Sequence, residues 1–295
     1  MAVADRKVTC TNADGVSVEF TEDLSSPFIL MSISGVYTVD NTVSMTDNTM
    51  INGATYQGSV AKKRNIVLYI KDMYDFYDHR NLLNEVFKQN ERGKLVIEDE
   101  GVKRAIGYYV ESVNGNKIKP HIHYHTISLM CDDPFFTTVH PNNIYIAEWV
   151  PGFEWPHNFL SKKETFGYRS QVRMRTIENV DAIEDVGLDI IITCTNTIQN
   201  PMLAVIERNQ RIHIGDEEHP FTMGRGDILE ITTGEGNKHV YLTHDGVKQE
   251  MNYLMTEDSD FIQLRRGTNS IGYDAEAGAQ YMVIRIRYNM QYARA

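Results

Sequence analysis

The sequence predicts a mainly β protein of two domains, and four observations carry that expectation. Sixteen tyrosines and eleven phenylalanines sit among Val, Ile and Thr in short stretches split by Gly, Asn and Asp, the composition of strands joined by turns. One segment, Asp75–Asn90, instead spaces Phe76, Leu83, Val86 and Phe87 near 3.6 residues, as an amphipathic helix does. At roughly 100–200 residues per domain, 295 residues suggest two domains. Pro141, Pro151 and Pro156, beside Trp149 and Trp155, mark a boundary between them.

In the first half, Val16–Phe20 alternates, and Pro27 precedes an extended stretch, Phe28–Val39. The segment Asp40–Asn52 is polar, rich in Thr, Asn and Met, and has no period, so it reads as a long loop. Arg64–Ile70 places Ile66, Leu68 and Ile70 on one face of a strand. The helix has Asp72 or Asp75 as N-cap and Gly93 as a left-handed stop. Lys94–Glu98 and Val102–Val110 flank the Asp99–Gly101 turn, and Asn114-Gly115 spells a two-residue hairpin leading into Ile118–Met130. Pro134 ends that strand, because proline cannot donate to a ladder.

The second half repeats the pattern. Leu188–Thr195, Met202–Glu207, Arg211–Ile214, Ile228–Thr232, Lys238–Thr243, Val247–Glu250, Phe261–Leu264 and Gln280–Tyr288 are its strand candidates. Turns at Gly215-Asp216, Gly234–Asn237, Asp245-Gly246 and Gly278 separate them, and even spacing of this kind argues for a β-sandwich or jelly roll. Met282, Ile284 and Ile286 face one way, and Val283, Arg285 and Arg287 the other, as in a half-buried strand. The expected organisation is residues 1–145, a linker at 146–156, and residues 157–295.

Composition removes several functions. Apolar residues at 42% supply a core, and a formal net charge of −11 argues against nucleic-acid affinity and against an anionic membrane surface. Met1–Cys10 carries Asp5, Arg6 and Lys7 rather than an apolar signal region, and the best apolar run, Leu188–Cys194, is interrupted by Asp189. Cys10, Cys131 and Cys194 are odd in number, far apart and set among apolar neighbours. They read as buried free thiols in a reducing compartment, not as a disulfide framework or a zinc knuckle.

No catalytic or cofactor site is legible. The nearest to a metal site is His121, His123 and His125, whose i, i+2, i+4 spacing puts three imidazoles on one strand face about 6.5–7 Å apart. Bonds near 2 Å cannot gather all three from one straight strand, although two could share an ion; the plainer reading is a solvated face alternating with Ile122 and Tyr124. Asp132 and Asp133 are adjacent and point apart. Gly234-Glu235-Gly236 lacks a third glycine, Arg225-Gly226-Asp227 sits where a turn is needed, and Lys62-Lys63-Arg64 is a short basic run.

Several stretches taken in order resemble the distal tail protein family of long-tailed phages. In the first half these are Gly53–Gly58, Lys63-Arg64-Asn65-Ile66, the Asp75–Asn90 helix, Leu95-Val96-Ile97, Arg104–Val110, and Ile127–Phe136 closing on Cys131-Asp132-Asp133-Pro134-Phe135-Phe136. In the second half they are Ile177–Asp181, Gly226-Asp227-Ile228-Leu229-Glu230-Ile231, Phe261–Leu264 and Gly267-Thr268-Asn269-Ser270-Ile271. The resemblance implies an N-terminal barrel- or sandwich-like β-domain with one packed helix and a C-terminal galectin-like β-sandwich. It also implies a non-enzymatic part of the virion, assembled in the bacterial host cytoplasm and needing no cofactor.

Such proteins form a six-membered ring at the distal tail end, joining the tail tube to the baseplate or tail-tip hub. The implied partners are further copies of the chain, tail tube protein, tape-measure protein, the baseplate hub or tail-associated lysin, and a receptor-binding protein. DNA passes the lumen without specific binding, which the sign of the net charge suits. The subunit contact is expected at the Asp40–Asn52 segment or the helix, with Asp40, Thr42, Asn48, Tyr56, Arg64, Phe76 and Tyr77 as candidates. The alternative is a carbohydrate-binding module that reads a host glycan through Tyr and Trp of the C-terminal sandwich; a wall hydrolase ranks last.

Overall fold

The computed structural model describes residues 6–48, 52–73, 76–119, 122–146, 149–151, 167–169, 173–180 and 185–295. Two compact units divide the chain, the first made of Met1–Val139 with Gln291–Ala295, the second of His140–Met290. The expected linker at 146–156 falls largely outside the described residues.

The first unit contains β1 (Lys7–Thr11), β2 (Ser17–Thr21), β3 (Phe28–Ser34), β4 (Asn41–Asp47), β5 (Ala54–Ala61), β6 (Arg64–Met73), α1 (Phe76–Val86), β7 (Arg92–Asp99), β8 (Val102–Lys119), β9 (Ile122–Cys131) and β10 (Phe136–Thr138). Seven of these strands follow the order β8-β7-β1-β2-β3-β6-β9, and β9 pairs back onto β8, so the sheet closes into a barrel without edges. The pairing is antiparallel except at Thr21↔Ile29 between β2 and β3. Strand alternation explains the closure. Ile66, Leu68 and Ile70 of β6, Leu95 and Ile97 of β7, and Ile127 and Leu129 of β9 are all buried in one core, each contributing about 1.5–3 kcal/mol by leaving water. The helix adds Leu83, Val86 and, just beyond its end, Phe87 to that core, where Phe87 stacks on Phe20 at 6.3 Å.

Four expectations for this half are corrected. The helix is shorter than Asp75–Asn90, ending at Val86, so Gly93 does not stop it; Asp75 lies outside the described residues. Gly93 sits in β7 because a Cβ there would lie 2.3 Å from Cζ of Tyr108, whose ring crosses it. Asn114-Gly115 is not a hairpin turn but lies inside β8, paired as Asn114↔Thr126 and Gly115↔His125. Finally, Asp40–Asn52 is not a loop: β4 and β5 form an antiparallel hairpin with a register shift between Ser44 and Met45.

The second unit contains β11 (Asn142–Ile146), β12 (Trp149–Pro151), β13 (Gly167–Arg169), β14 (Met174–Asn179), β15 (Asp189–Cys194), β16 (Ile198–Val205), β17 (Gln210–His213), β18 (Thr222–Met223), β19 (Ile228–Gly234), β20 (Asn237–His244), β21 (Val247–Glu250), β22 (Gly267–Ala277) and β23 (Met282–Tyr288). A six-stranded sheet, β11-β23-β15-β19-β20-β21, and a second sheet, β14-β22-β16-β17 with β18 on β16, enclose one core. Ile190 and Ile192, Leu229 and Ile231, and Met282, Ile284 and Ile286 supply one wall, with Leu203, Val205, Ile212 and Ile271 opposite. In β23 the outward Arg287 donates to Asp189 at 2.9 Å and Arg285 to Asn143 at 2.9 Å. The expected strand Phe261–Leu264 reduces to one bridge, Leu264↔Val186, and β22, which no alternation announced, is the longest strand of this unit. The last strand of the chain, β24 (Gln291–Tyr292), belongs to the first unit and pairs with β10.

Candidate functional site

The feature of the first unit that no core explains is the β4–β5 hairpin. All seven residues of β4 are exposed, and β5 buries none of its eight. Among the described residues each strand pairs only with the other. Val43, Met45, Tyr56 and Val60 are 50%, 62%, 59% and 73% exposed, so the ribbon offers water apolar side chains together with two open backbone edges. Its base is fixed: the Lys62 amide donates to the Asp40 carbonyl at 2.7 Å. Near its tip the Asn48 amide donates to the Gly53 carbonyl at 3.2 Å and Oγ1 of Thr55 bonds Oδ1 of Asn48 at 3.3 Å.

The sequence-derived contact residues separate on this geometry. Asp40, Thr42, Asn48 and Tyr56 stand exposed on or at the base of the ribbon. Tyr77 on α1 is 70% exposed, beneath the Arg80 guanidinium at 5.6 Å, and Phe76 opens that helix. Arg64 is different, buried to 5%. Its guanidinium donates to the carbonyls of Gly35 at 3.2 Å and Ala293 at 2.6 Å and lies over the Phe136 ring at 4.7 Å. Arg64 ties the first unit together from within, and burial holds its pKa below the ordinary value.

A second cluster gathers around Asp72 at the end of β6. His121 lies outside the described residues, but His123 and His125 share the core-facing side of β9, their ring centres 6.4 Å apart. Asp72, 1% exposed, is the register partner of His123. The carboxylate that joins the two imidazoles thus comes from a neighbouring strand, where spacing along one segment could not reveal it. His79 on α1 holds the other side of that carboxylate, Nδ1 to Oδ1 at 2.6 Å. Cys10, Cys131 and Cys194 are buried and free. Burial pushes the Cys131 thiol up to about 12 and raises Cys10 as well, so neither is poised as a nucleophile.

The Arg225-Gly226-Asp227 tripeptide is a structural turn. Asp227 accepts the Gly224 amide at 2.8 Å and faces Nδ1 of His244 at 2.6 Å. Among the described residues no helix is long and apolar enough to cross a membrane.

With barrel, hairpin and sandwiching sheets described, comparison with known proteins defines the class. Residues 16–131 match the family of phage tail protein RIFT-related domains, the segment that holds all of the barrel except β1. Over that segment the chain is similar to a phage tail RIFT-related domain. Over nearly its full length the chain shares its fold with solved phage tail-tip and baseplate proteins. The Dit protein of phage SPP1, described as a paradigm of the hub adsorption apparatus in phages infecting Gram-positive hosts, matches with a TM-score of 0.63 and 11% identity, covering 97% of this chain and 99% of that one. A chain of the phage p2 baseplate in its activated conformation with strontium matches at 0.52 and 10% identity over 98% and 99%, and one with calcium at 0.51 and 9% over 99% of each chain. No curated protein matches the sequence. Nothing among the matches favours the sugar-binding alternative.

Proposed function

We propose that this chain is a non-enzymatic part of the phage virion whose first unit closes, head to tail with five further copies, into a ring at the distal end of the tail. The ring joins the tail tube to the baseplate or tail-tip hub, with tape-measure protein and later DNA in its lumen. The second unit, His140–Met290, is a galectin-like sandwich that carries receptor-binding components, and the hub or its lysin is a further partner. Assembly takes place in the bacterial host cytoplasm.

One observation carries this reading: a two-stranded ribbon in which neither face is buried. An isolated hairpin is marginal in water, and open edges with exposed apolar residues are a liability unless covered. A neighbouring copy is the simplest cover, because a heterologous contact repeated with a closing rotation makes a ring. The fold shared with phage hub proteins supports the same conclusion.

The test is native mass spectrometry of the full chain and of a variant in which residues 41–61 are replaced by a short Gly-Ser link. The Asp40–Lys62 backbone bond already holds the two ends together. Wild type is expected to run as a six-chain ring, and the variant as a folded monomer with the same melting temperature. A variant that still forms the ring removes the hairpin from the contact. A wild-type chain that stays single at every concentration and ignores tube and hub proteins ends the ring reading.

A further inference from the structure

We propose that Asp72, His123 and His125 form a binding site for one divalent transition-metal ion, best fitted by zinc, with His79 positioning the carboxylate. The inference is independent of the tail reading.

Sheet register makes the site. Asp72 and His123 are direct partners on β6 and β9, while His125, two residues on, pairs opposite Ile70. A period of two brings all three side chains to the same side of adjacent strands. Their donor atoms lie within 4.8 Å of one another, whereas zinc with bonds near 2.0–2.2 Å holds tetrahedral donors about 3.3–3.5 Å apart. Closing that difference of about 1.5 Å asks for side-chain adjustment, not for a new backbone.

Burial makes the arrangement informative. Asp72 is 1% and His125 9% exposed, and a carboxylate so deep needs strong partners. Its Oδ1 has one, His79. Its Oδ2 faces Nε2 of His125 at 3.5 Å, too long for a hydrogen bond, and that nitrogen is buried with no hydrogen-bond partner. A carboxylate oxygen and an imidazole nitrogen therefore share a gap that an ion bonded to both would fill. On β8, Gly115 keeps the room: a Cβ there would come within 3.1 Å of Nδ1 of His125. Two imidazoles and one carboxylate suit zinc, cobalt, nickel or ferrous iron and disfavour calcium and magnesium, which take oxygen ligands. The hydrogen bond from His79 to the ligating carboxylate is the kind of outer support such sites carry. Bound metal would pin β6 to β9 next to the start of α1.

The experiment titrates tag-free full chain, first stripped with a chelator, with Co²⁺ and then Zn²⁺. Expected are one cobalt per chain with the visible absorption of a tetrahedral or five-coordinate site, displacement of cobalt by zinc, and a higher melting temperature with either metal. His79→Ala should weaken affinity about 10–100-fold with the stoichiometry kept, and His123→Ala with His125→Ala should abolish the absorption. Absence of one-to-one uptake by wild type at micromolar metal overturns the proposal and leaves a histidine–carboxylate hydrogen-bond cluster. Unchanged binding by the double variant also overturns it. Should the double variant fail to fold, the wild-type titration and His79→Ala decide.

Discussion

Two antiparallel strand pairs in the first unit share a ladder and little else. In β6–β9 every second side chain enters the barrel core, as Ile66, Leu68 and Ile70 do against Ile127 and Leu129. In β4–β5 no side chain is buried. Backbone hydrogen bonds add only about 0.5–1.5 kcal/mol each once exchange with water is counted. The ladder therefore sets geometry in both pairs, while burial supplies stability in one alone. What the comparison teaches is that among the described residues the second pair has a ladder without a core, the feature on which the proposed subunit contact rests.

The comparison can be sharpened by truncating one side chain in each pair. Leu68→Ala should cost about 2–5 kcal/mol in urea unfolding, the range for a core leucine that leaves a cavity. Val60→Ser on the ribbon should change the unfolding of the single chain by less than about 0.5 kcal/mol while weakening the proposed ring. A large loss of single-chain stability in Val60→Ser would mean that the ribbon is packed within the chain after all. Arg64→Met comes next in size. It orphans the Gly35 and Ala293 carbonyls and should cost about 1.5–3 kcal/mol by the same measurement, the range for hydrogen bonds to a charged group.

The smallest effect is pH-dependent and lies in the second unit. The hydrogen bond to Asp227 raises the pKa of His244. For Asp227 burial pushes upward, but the Gly224 amide and His244 outweigh it and the net shift is down. A raised histidine contributes its stability below its unfolded value, about 6.5, and loses it as pH rises through the folded value. The lowered carboxylate keeps its share above about 3.9 and loses it as pH falls through the folded value. The advantage of wild type over His244→Gln in melting temperature should therefore be flat from about pH 4 to 6 and fade above. Because the His244 side chain is 65% exposed, solvent keeps it small. An advantage that grew with pH would contradict the pairing.

The barrel strands were legible where burial imprints a period, as in Arg64–Ile70 and Lys94–Glu98. Where neither face is buried the period vanishes, which is why Asp40–Asn52 reads as a loop although Asn41–Asp47 is a strand. Asn114-Gly115 misleads for a different reason. Its glycine makes space for His125 and turns nothing. The same limit hid the partner of the histidines: their spacing along β9 is visible, but Asp72 joins them only through the register of another strand. Gly93 misleads in the same way as Gly115: it reads as a helix stop, but it lies in β7 under the Tyr108 ring, well past the helix end at Val86.

The return of Gln291–Ala295 to the first unit sets an order of events on the ribosome. The outer edge of β10, the Val36 carbonyl and one arm of Arg64 wait for Tyr292, Ala295 and Ala293, and these emerge only after residues 140–290 have been made. At elongation speeds of about 5–20 residues per second that interval lasts about eight to thirty seconds. The seven barrel strands, all made by Cys131, thus precede the contacts that seal their rim, and a chain broken off early lacks β24 and the bonds to Val36 and Arg64.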